Sequence, residues 1–191
     1  MKSFGQTKPI FQKIDQSTGL SSSRITGILK EKNGFIWIST QNGLNRYDGN
    51  SVKVYNKQNS NIESNDISSL YIDSKYRIWL TSYGSGLNLY NKVSDNFISF
   101  KNSFNDENSI ISNRVNIIVE DSNDLFWIGT EKGLCSFNFN LKKFYRHTFN
   151  DNEELNIISI YQDKMDNLWL GTFANGLLLF DTKKKRIQKN K

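Results

Sequence analysis

The sequence predicts an all-β fold, a β-propeller of four-stranded antiparallel blades, with four blades visible in 191 residues. Three observations predict it. First, Trp37, Trp79, Trp127 and Trp169 recur at spacings of 42, 48 and 42 residues, a period that fits four-stranded blades and overlaps some helical repeats. Second, four other landmarks keep step with the tryptophans. A Gly-Leu pair follows each one (Gly43, Gly86, Gly133, Gly176), and four residues after each glycine stands a ring (Tyr47, Tyr90, Phe137, Phe180). Twelve residues before each tryptophan is a β-branched residue (Ile25, Ile67, Val115, Ile157), and six before is an acid (Glu31, Asp73, Asp121, Asp163). Third, the tryptophan segments are short, ring-rich and β-branched and are bounded by turn residues, which decides for strands over helices.

In the first repeat, strand a covers about 24–30, b about 35–40, c about 44–47 and d about 52–56. Lys32-Asn33-Gly34 and Tyr47-Asp48-Gly49 supply turn residues that tolerate positive φ. Ile36 and Ile38 face one way in strand b, and Phe35 and Trp37 the other. Both faces must be buried, and a blade between two neighbouring blades provides that. Strand a carries Gly27, Ser69 and Ser159 at one equivalent position and Ile117 in the third copy. Small residues there fit an innermost strand near a crowded axis. The competing reading of strand a is a short amphipathic helix, since Ile25, Ile28 and Leu29 have helical spacing. Its β-branched content and its glycine disfavour that.

The blades are placed at about 24–56, 66–100, 114–146 and 156–188 of a single propeller segment, 1–191. A fifth d-like stretch, 10–14, reads as an extra outer strand from or for a neighbouring blade. Five d-like strands for four a–b–c sets imply a larger ring, or a second copy that completes it. An open stack would expose the Trp, Ile and Leu side chains of its two end faces.

Composition narrows the partners. The net charge is +6, but Lys183, Lys184, Lys185, Arg186, Lys189 and Lys191 stand together at the end of the chain and the remainder is close to neutral. That reads as a solvated terminus or edge strand, with no nucleic-acid partner. Aromatic content of 13% argues for a folded chain. Cys135 is the single cysteine, expected as a buried small hydrophobe in a strand. Met1 to Lys8 hold no apolar h-region and no stretch approaches a membrane span, so no signal peptide is read here and a cytoplasmic address stays open.

The run Gly19-Leu20-Ser21-Ser22, Arg24-Ile25, Gly34-Phe35-Ile36-Trp37-Ile38-Ser39-Thr40 and Asn42-Gly43-Leu44 resembles the two-component regulator propeller repeat. It returns as Ile111-Ser112-Asn113-Arg114-Val115, Leu125 to Thr130 and Lys132-Gly133-Leu134, and again as Asn167 to Thr172 and Asn175-Gly176-Leu177. The second copy departs from it, with Thr81-Ser82 and Tyr83-Gly84-Ser85 before Gly86. The resemblance covers the chain from about Phe11 onward. It implies the extracytoplasmic sensor of membrane-bound hybrid histidine kinases, in which paired seven-bladed propellers precede a β-sandwich, a membrane span and cytoplasmic signalling modules. Many such sensors respond to glycan fragments. A periplasmic or extracytoplasmic address follows by resemblance only, and a membrane enters only through parts of a longer protein.

Strand directions put the b–c and d–a loops on one face, where side chains vary without harming the core. The candidate ligand residues are Tyr83, Phe173, Asn42, Glu131 and Asn175 on b–c loops, with Arg24, Asp66, Arg114 and Asn156 at the starts of the a strands. Rings beside amides and charges suit an oligosaccharide, because pyranose faces stack on rings; the alternative is that both rings cover neighbouring blade tops. The four tryptophans and Gly43, Gly86, Gly133 and Gly176 read as structural, and the acids before strand b as turn formers. Asp121 to Asp124 is the one mild calcium-loop candidate, and no metal or cofactor is expected. His147 stands alone on an outer strand, which argues against a histidine-built zinc site or triad. The expectation is a non-catalytic, ligand-sensing module. A protein-interaction or dimerisation scaffold is the alternative, and a propeller lyase or hydrolase built on Asp66, Glu131 and Tyr83 is the third class.

Overall fold

A computed structural model describes residues 11–147, 149 and 154–187. It contains four separate four-stranded antiparallel sheets, each running in sequence order from an inner to an outer strand. Blade 1 is β1 (Ile25–Lys30), β2 (Ile36–Thr40), β3 (Gly43–Tyr47) and β4 (Val52–Tyr55). Blade 2 is β5 (Ile67–Ile72), β6 (Ile78–Ser82), β7 (Gly86–Asn91) and β8 (Asn96–Phe100). Blade 3 is β9 (Val115–Glu120), β10 (Leu125–Thr130), β11 (Gly133–Asn138) and β12 (Lys143–His147). Blade 4 is β13 (Ile157–Gln162), β14 (Leu168–Thr172), β15 (Leu177–Asp181) and β16 (Arg186–Ile187). The inner strands β1, β5, β9 and β13 pack on one another in succession. They are strands, as the β-branched content required, and not helices.

Phe11 to Ile14 join none of the four sheets, and the chain enters blade 1 through a single 3-10 turn, Gln16–Thr18. Ile10 and Gln188, which the reading included in end strands, lie outside the described residues.

The core consists of three layers, each between two blades. Trp37, Leu44 and Tyr55 of blade 1 meet Ile78, Leu80 and Tyr90 of blade 2. Trp79 and Leu87 meet Phe126, Ile128 and Phe137 of blade 3. Trp127 and Leu134 meet Leu168, Leu170 and Phe180 of blade 4. Cys135 is buried in the second layer, where loss of solvation pushes its thiol up to about 11. Trp169 breaks the series. It is 38% exposed, against 0% for Trp37 and Trp79, because no blade follows it among the described residues.

The acids six residues before the tryptophans do more than form turns. Asp73 Oδ1 accepts from the backbone N–H groups of Lys75 (3.0 Å) and Arg77 (2.8 Å), and its Oδ2 accepts from Trp79 Nε1 at 2.8 Å. Glu31 takes the Trp37 indole at 3.1 Å and Asp121 the Trp127 indole at 2.9 Å. A buried indole N–H needs an acceptor, so acid and tryptophan recur together. The small residues of strand a are explained by the strand beside them. A Cβ on Gly27 would lie 2.9 Å from Ser39 Oγ; where strand a instead carries Ile117, strand b has Gly129, whose Cβ would lie 2.7 Å from that isoleucine. Volume is exchanged across the a–b pair.

All four blades share a bulge. The a–b register shifts between Ile25 and Gly27, between Ile67 and Ser69, opposite Gly129 and Thr130, and between Ile157 and Ser159. Thr26, Ser68, Asn116 and Ile158 are therefore extra residues with no partner across the ladder. A bulge re-aims its side chain, and here two of the four reach the next blade. Thr26 Oγ1 donates to Ile67 O at 2.6 Å, and Asn116 Nδ2 to Ile157 O at 2.9 Å.

The glycine at the start of strand c is fixed by space and by φ. Gly86 has φ +79°, its N–H donates to Asn113 O of the next blade at 2.8 Å, and an added Cβ would lie 2.2 Å from Phe100 O. Gly86→Ala is expected to cost about 1–3 kcal/mol, measured as a lowered urea midpoint. An unchanged midpoint would mean that this turn relaxes freely.

Candidate functional site

The b–c loops and the starts of the a strands do share one face. On it, blades 2, 3 and 4 enclose a cleft of about 290 Å³ lined by Ser68, Tyr83, Arg114, Val115, Asn116, Glu131, Asn156 and Ile158. Three of these, Ser68, Asn116 and Ile158, are the bulge residues of successive inner strands, aimed where the ladders do not hold them.

The polar groups are pre-arranged. Arg114 Nη1 donates to Glu131 Oε2 at 2.8 Å, and Ser112 Oγ donates to Glu131 Oε1 at 3.0 Å. The Arg114 guanidinium lies 4.3 Å from the centroid of the Tyr83 ring. The hydrogen bond to Glu131 raises the pKa of Arg114 further, so the group stays charged while its charge is balanced in place. Asn116 Nδ2 also donates to Asn156 Oδ1 at 2.9 Å. That contact fixes both amides and turns a further acceptor, Asn116 Oδ1, and a further donor, Asn156 Nδ2, into defined directions. Ile158 is exposed and adds an apolar wall. The cleft thus combines a braced ring, two oriented amides and no net charge.

Of the nine residues singled out from the sequence, the cleft gathers Tyr83, Arg114, Glu131 and Asn156. The other five do not line it. Phe173 is exposed on the last b–c loop, its backbone N–H donating to Asn156 O at 2.8 Å. Asp66 takes the Tyr83 N–H at its carbonyl and shapes the loop, but it does not pair with Arg114. Asn42 Nδ2 donates to Ser21 O, and the Asn175 N–H donates to Thr172 Oγ1, so both build turns. Arg24 sits on blade 1, outside the cleft. Sequence reasoning missed Ser68, Asn116 and Ile158. The available signal was a residue just after the β-branched landmark that is polar in three of four copies of an otherwise apolar strand.

Among the described residues, no group of three or more His, Cys, Asp or Glu side chains is placed to hold a metal ion, and no helix is long and apolar enough to cross a membrane.

Comparison with known proteins agrees with this architecture. The two component regulator propeller repeat matches residues 19–42, 109–132 and 153–174, which are copies one, three and four. Histidine kinase P4 from Formosa agariphila is 37% identical over 46 residues, 24% of this chain and 3% of that protein. The extracellular domain of the hybrid two component system BT3049 from B. thetaiotaomicron superposes with a TM-score of 0.66 at 24% identity, over 93% of this chain and 31% of that one. Virginiamycin B lyase from Staphylococcus aureus superposes with a TM-score of 0.63 at 14% identity, over 87% of this chain and 55% of that one. At such identities these structures share the fold alone, and the chain spans about a third of the length of the sensor domain. The chain is a four-bladed β-propeller segment, three of whose repeats are similar to the two component regulator propeller repeat, and its fold resembles that of the extracellular domains of two-component systems.

Proposed function

We propose that this chain is the ligand-recognising part of an extracytoplasmic two-component sensor, that it is non-catalytic, and that its ligand is an uncharged oligosaccharide held in the cleft between blades 2 and 4. The observation that carries the reading is the Asn116–Asn156 pair beside Tyr83. Two fixed amides offer a donor and an acceptor to sugar hydroxyls, and the ring and Ile158 offer apolar surface to a sugar face. Arg114 is already satisfied by Glu131, so an anionic group gains little there, while a neutral ligand leaves that pair intact. The same pairing speaks against acid–base chemistry, because the cleft's one carboxylate is held by a permanent cation. The sole histidine lies buried under Trp127, far from hydrolytic use.

A glycan array followed by calorimetry tests this. The folded chain is expected to bind a neutral oligosaccharide, and Tyr83→Ala and Asn116→Ala are each expected to weaken binding at least about tenfold, roughly 1.4 kcal/mol, with unchanged circular dichroism. Phe173→Ala, outside the cleft, should leave affinity unchanged. A folded chain that binds no glycan, or that converts one to product, removes the reading.

A further inference from the structure

The bulge residues bridge the seams between successive inner strands unequally. At the first seam, Thr26 Oγ1 of blade 1 donates to Ile67 O of blade 2 at 2.6 Å. At the third, Asn116 Nδ2 of blade 3 donates to Ile157 O of blade 4 at 2.9 Å. Ile67 and Ile157 each begin their inner strand, and the residue that begins β9 of blade 3 is Val115. At this second seam the bond is not made. Ser68 Oγ lies 2.7 Å from Thr81 Oγ1 of its own blade, and among the described residues no side chain donates to Val115 O. A serine is short and has a single proton to give, and this hydroxyl is engaged with strand b. The open acceptor falls in the cleft, which Ser68, Val115 and Asn116 all line. The Val115 side chain belongs to the core layer between blades 2 and 3, so its backbone is what it offers the cleft. A carbonyl in a partly enclosed site gains from any donor that reaches it.

We propose that a ligand hydroxyl donates to Val115 O, so that the bound sugar completes the second seam as Thr26 completes the first and Asn116 the third. The assignment rests on the oligosaccharide reading above and names the backbone atom that anchors the sugar. It makes Ser68 the specificity-determining residue of the cleft. Because this side chain stops short of the next blade, the carbonyl stays open and a donor at one ring position becomes a requirement. A sugar without that hydroxyl leaves a polar group of the site unpaired, which is the strongest form of rejection a small site has. No equivalent carbonyl is open at the first or third seam, where the bulge side chain already occupies it.

The probe is the tightest-binding neutral oligosaccharide from a glycan array, and the readout is the carbonyl carbon resonances of isotope-labelled valine and isoleucine. Saturating sugar is expected to move the Val115 carbonyl downfield and to leave those of Ile67 and Ile157, which are already bonded, in place. Ser68→Asn installs the residue that bridges the third seam. It is expected to move the Val115 carbonyl downfield without sugar, to leave the urea midpoint no lower, and to weaken binding of the sugar at least about tenfold. If Ser68→Asn disturbs the fold, Ser68→Thr, the residue of the first seam, replaces it. A sugar that binds without moving the Val115 carbonyl overturns the assignment and leaves the oligosaccharide reading standing. So does full affinity in a variant whose Val115 carbonyl is bonded by its own side chain. A wild-type chain that binds no sugar on the array overturns both.

Discussion

Trp79→Ala is expected to destabilise the chain by about 3–5 kcal/mol, whereas Trp169→Ala is expected to cost about 2 kcal/mol or less. The two residues occupy the same repeat position, so the contrast isolates what the next blade contributes. Trp79 is fully buried, lies 5.0 Å from Phe126 and 6.1 Å from Phe137, and donates its indole N–H to Asp73. Truncation there opens a cavity between two blades and leaves part of an acid unsatisfied. Trp169 keeps its acid, Asp163, but has solvent where the others have a neighbour. Urea melts at concentrations low enough to keep chains apart will measure both. A stability of 5–15 kcal/mol is usual for a domain, so Trp79→Ala removes a large share of it. Equal losses at the two sites would show that the inter-blade layer is not the main source of stability.

Acid is expected to weaken the fold before the carboxylates titrate, through His147. This ring takes the place that Tyr55 and Phe100 hold in blades 1 and 2, over the tryptophan of its own blade. It lies 5.2 Å from the Trp127 ring and 5.4 Å from Phe180, and its Nε2 is 2.9 Å from Ser136 Oγ. Burial, with a smaller contribution from Lys185, pushes its pKa down to about 4 from an ordinary 6.5. The native ring stays neutral while the unfolded ring takes up a proton. Stability is therefore complete above about pH 6.5 and falls as pH drops toward 4, by at most about 3 kcal/mol at roughly 1.4 kcal/mol per unit. Urea midpoints between pH 7.5 and 5 will show this slope in the wild type and a flatter one in His147→Phe, which installs the ring that blade 2 already uses. Parallel slopes in the two proteins would remove the histidine from the account.

The blades were legible because a propeller repeats its physical problem. Each blade needs a tryptophan for its neighbour, an acid for that indole and a glycine at positive φ, and these appear in register four times. Contacts between unlike copies were not legible. Arg46 donates to Tyr90 OH at 2.8 Å, and Tyr55 and Tyr90 both donate to Asp95, at 2.6 and 2.5 Å. Burial opposes ionisation of Asp95, but Lys53, Tyr55, Tyr90 and Arg46 hold its carboxyl well below the usual range. This clamp between blades 1 and 2 leaves no periodic trace. The candidate site was half legible for a related reason. Tyr83 and Phe173 look alike in the sequence as loop rings, yet among the described residues only Tyr83 has a following blade, whose Arg114 braces it. Asn116 and Ile158 were hidden because the bulge position carries a different residue in every blade.

The bulges bear on how such a chain acquires a new preference. Thr26, Ser68, Asn116 and Ile158 stand outside the ladders, so exchanging one breaks no pairing within its sheet. A threonine, a serine, an asparagine and an isoleucine already occupy this one repeat position, and three of them border the cleft. The propeller thus separates a frame fixed by tryptophan, acid and glycine from a short row of interchangeable letters along its inner rim. Rewriting that row one codon per blade reshapes the lining of the cleft without breaking a strand ladder, although in blades 1 and 3 it also exchanges a bond to the next blade's inner strand.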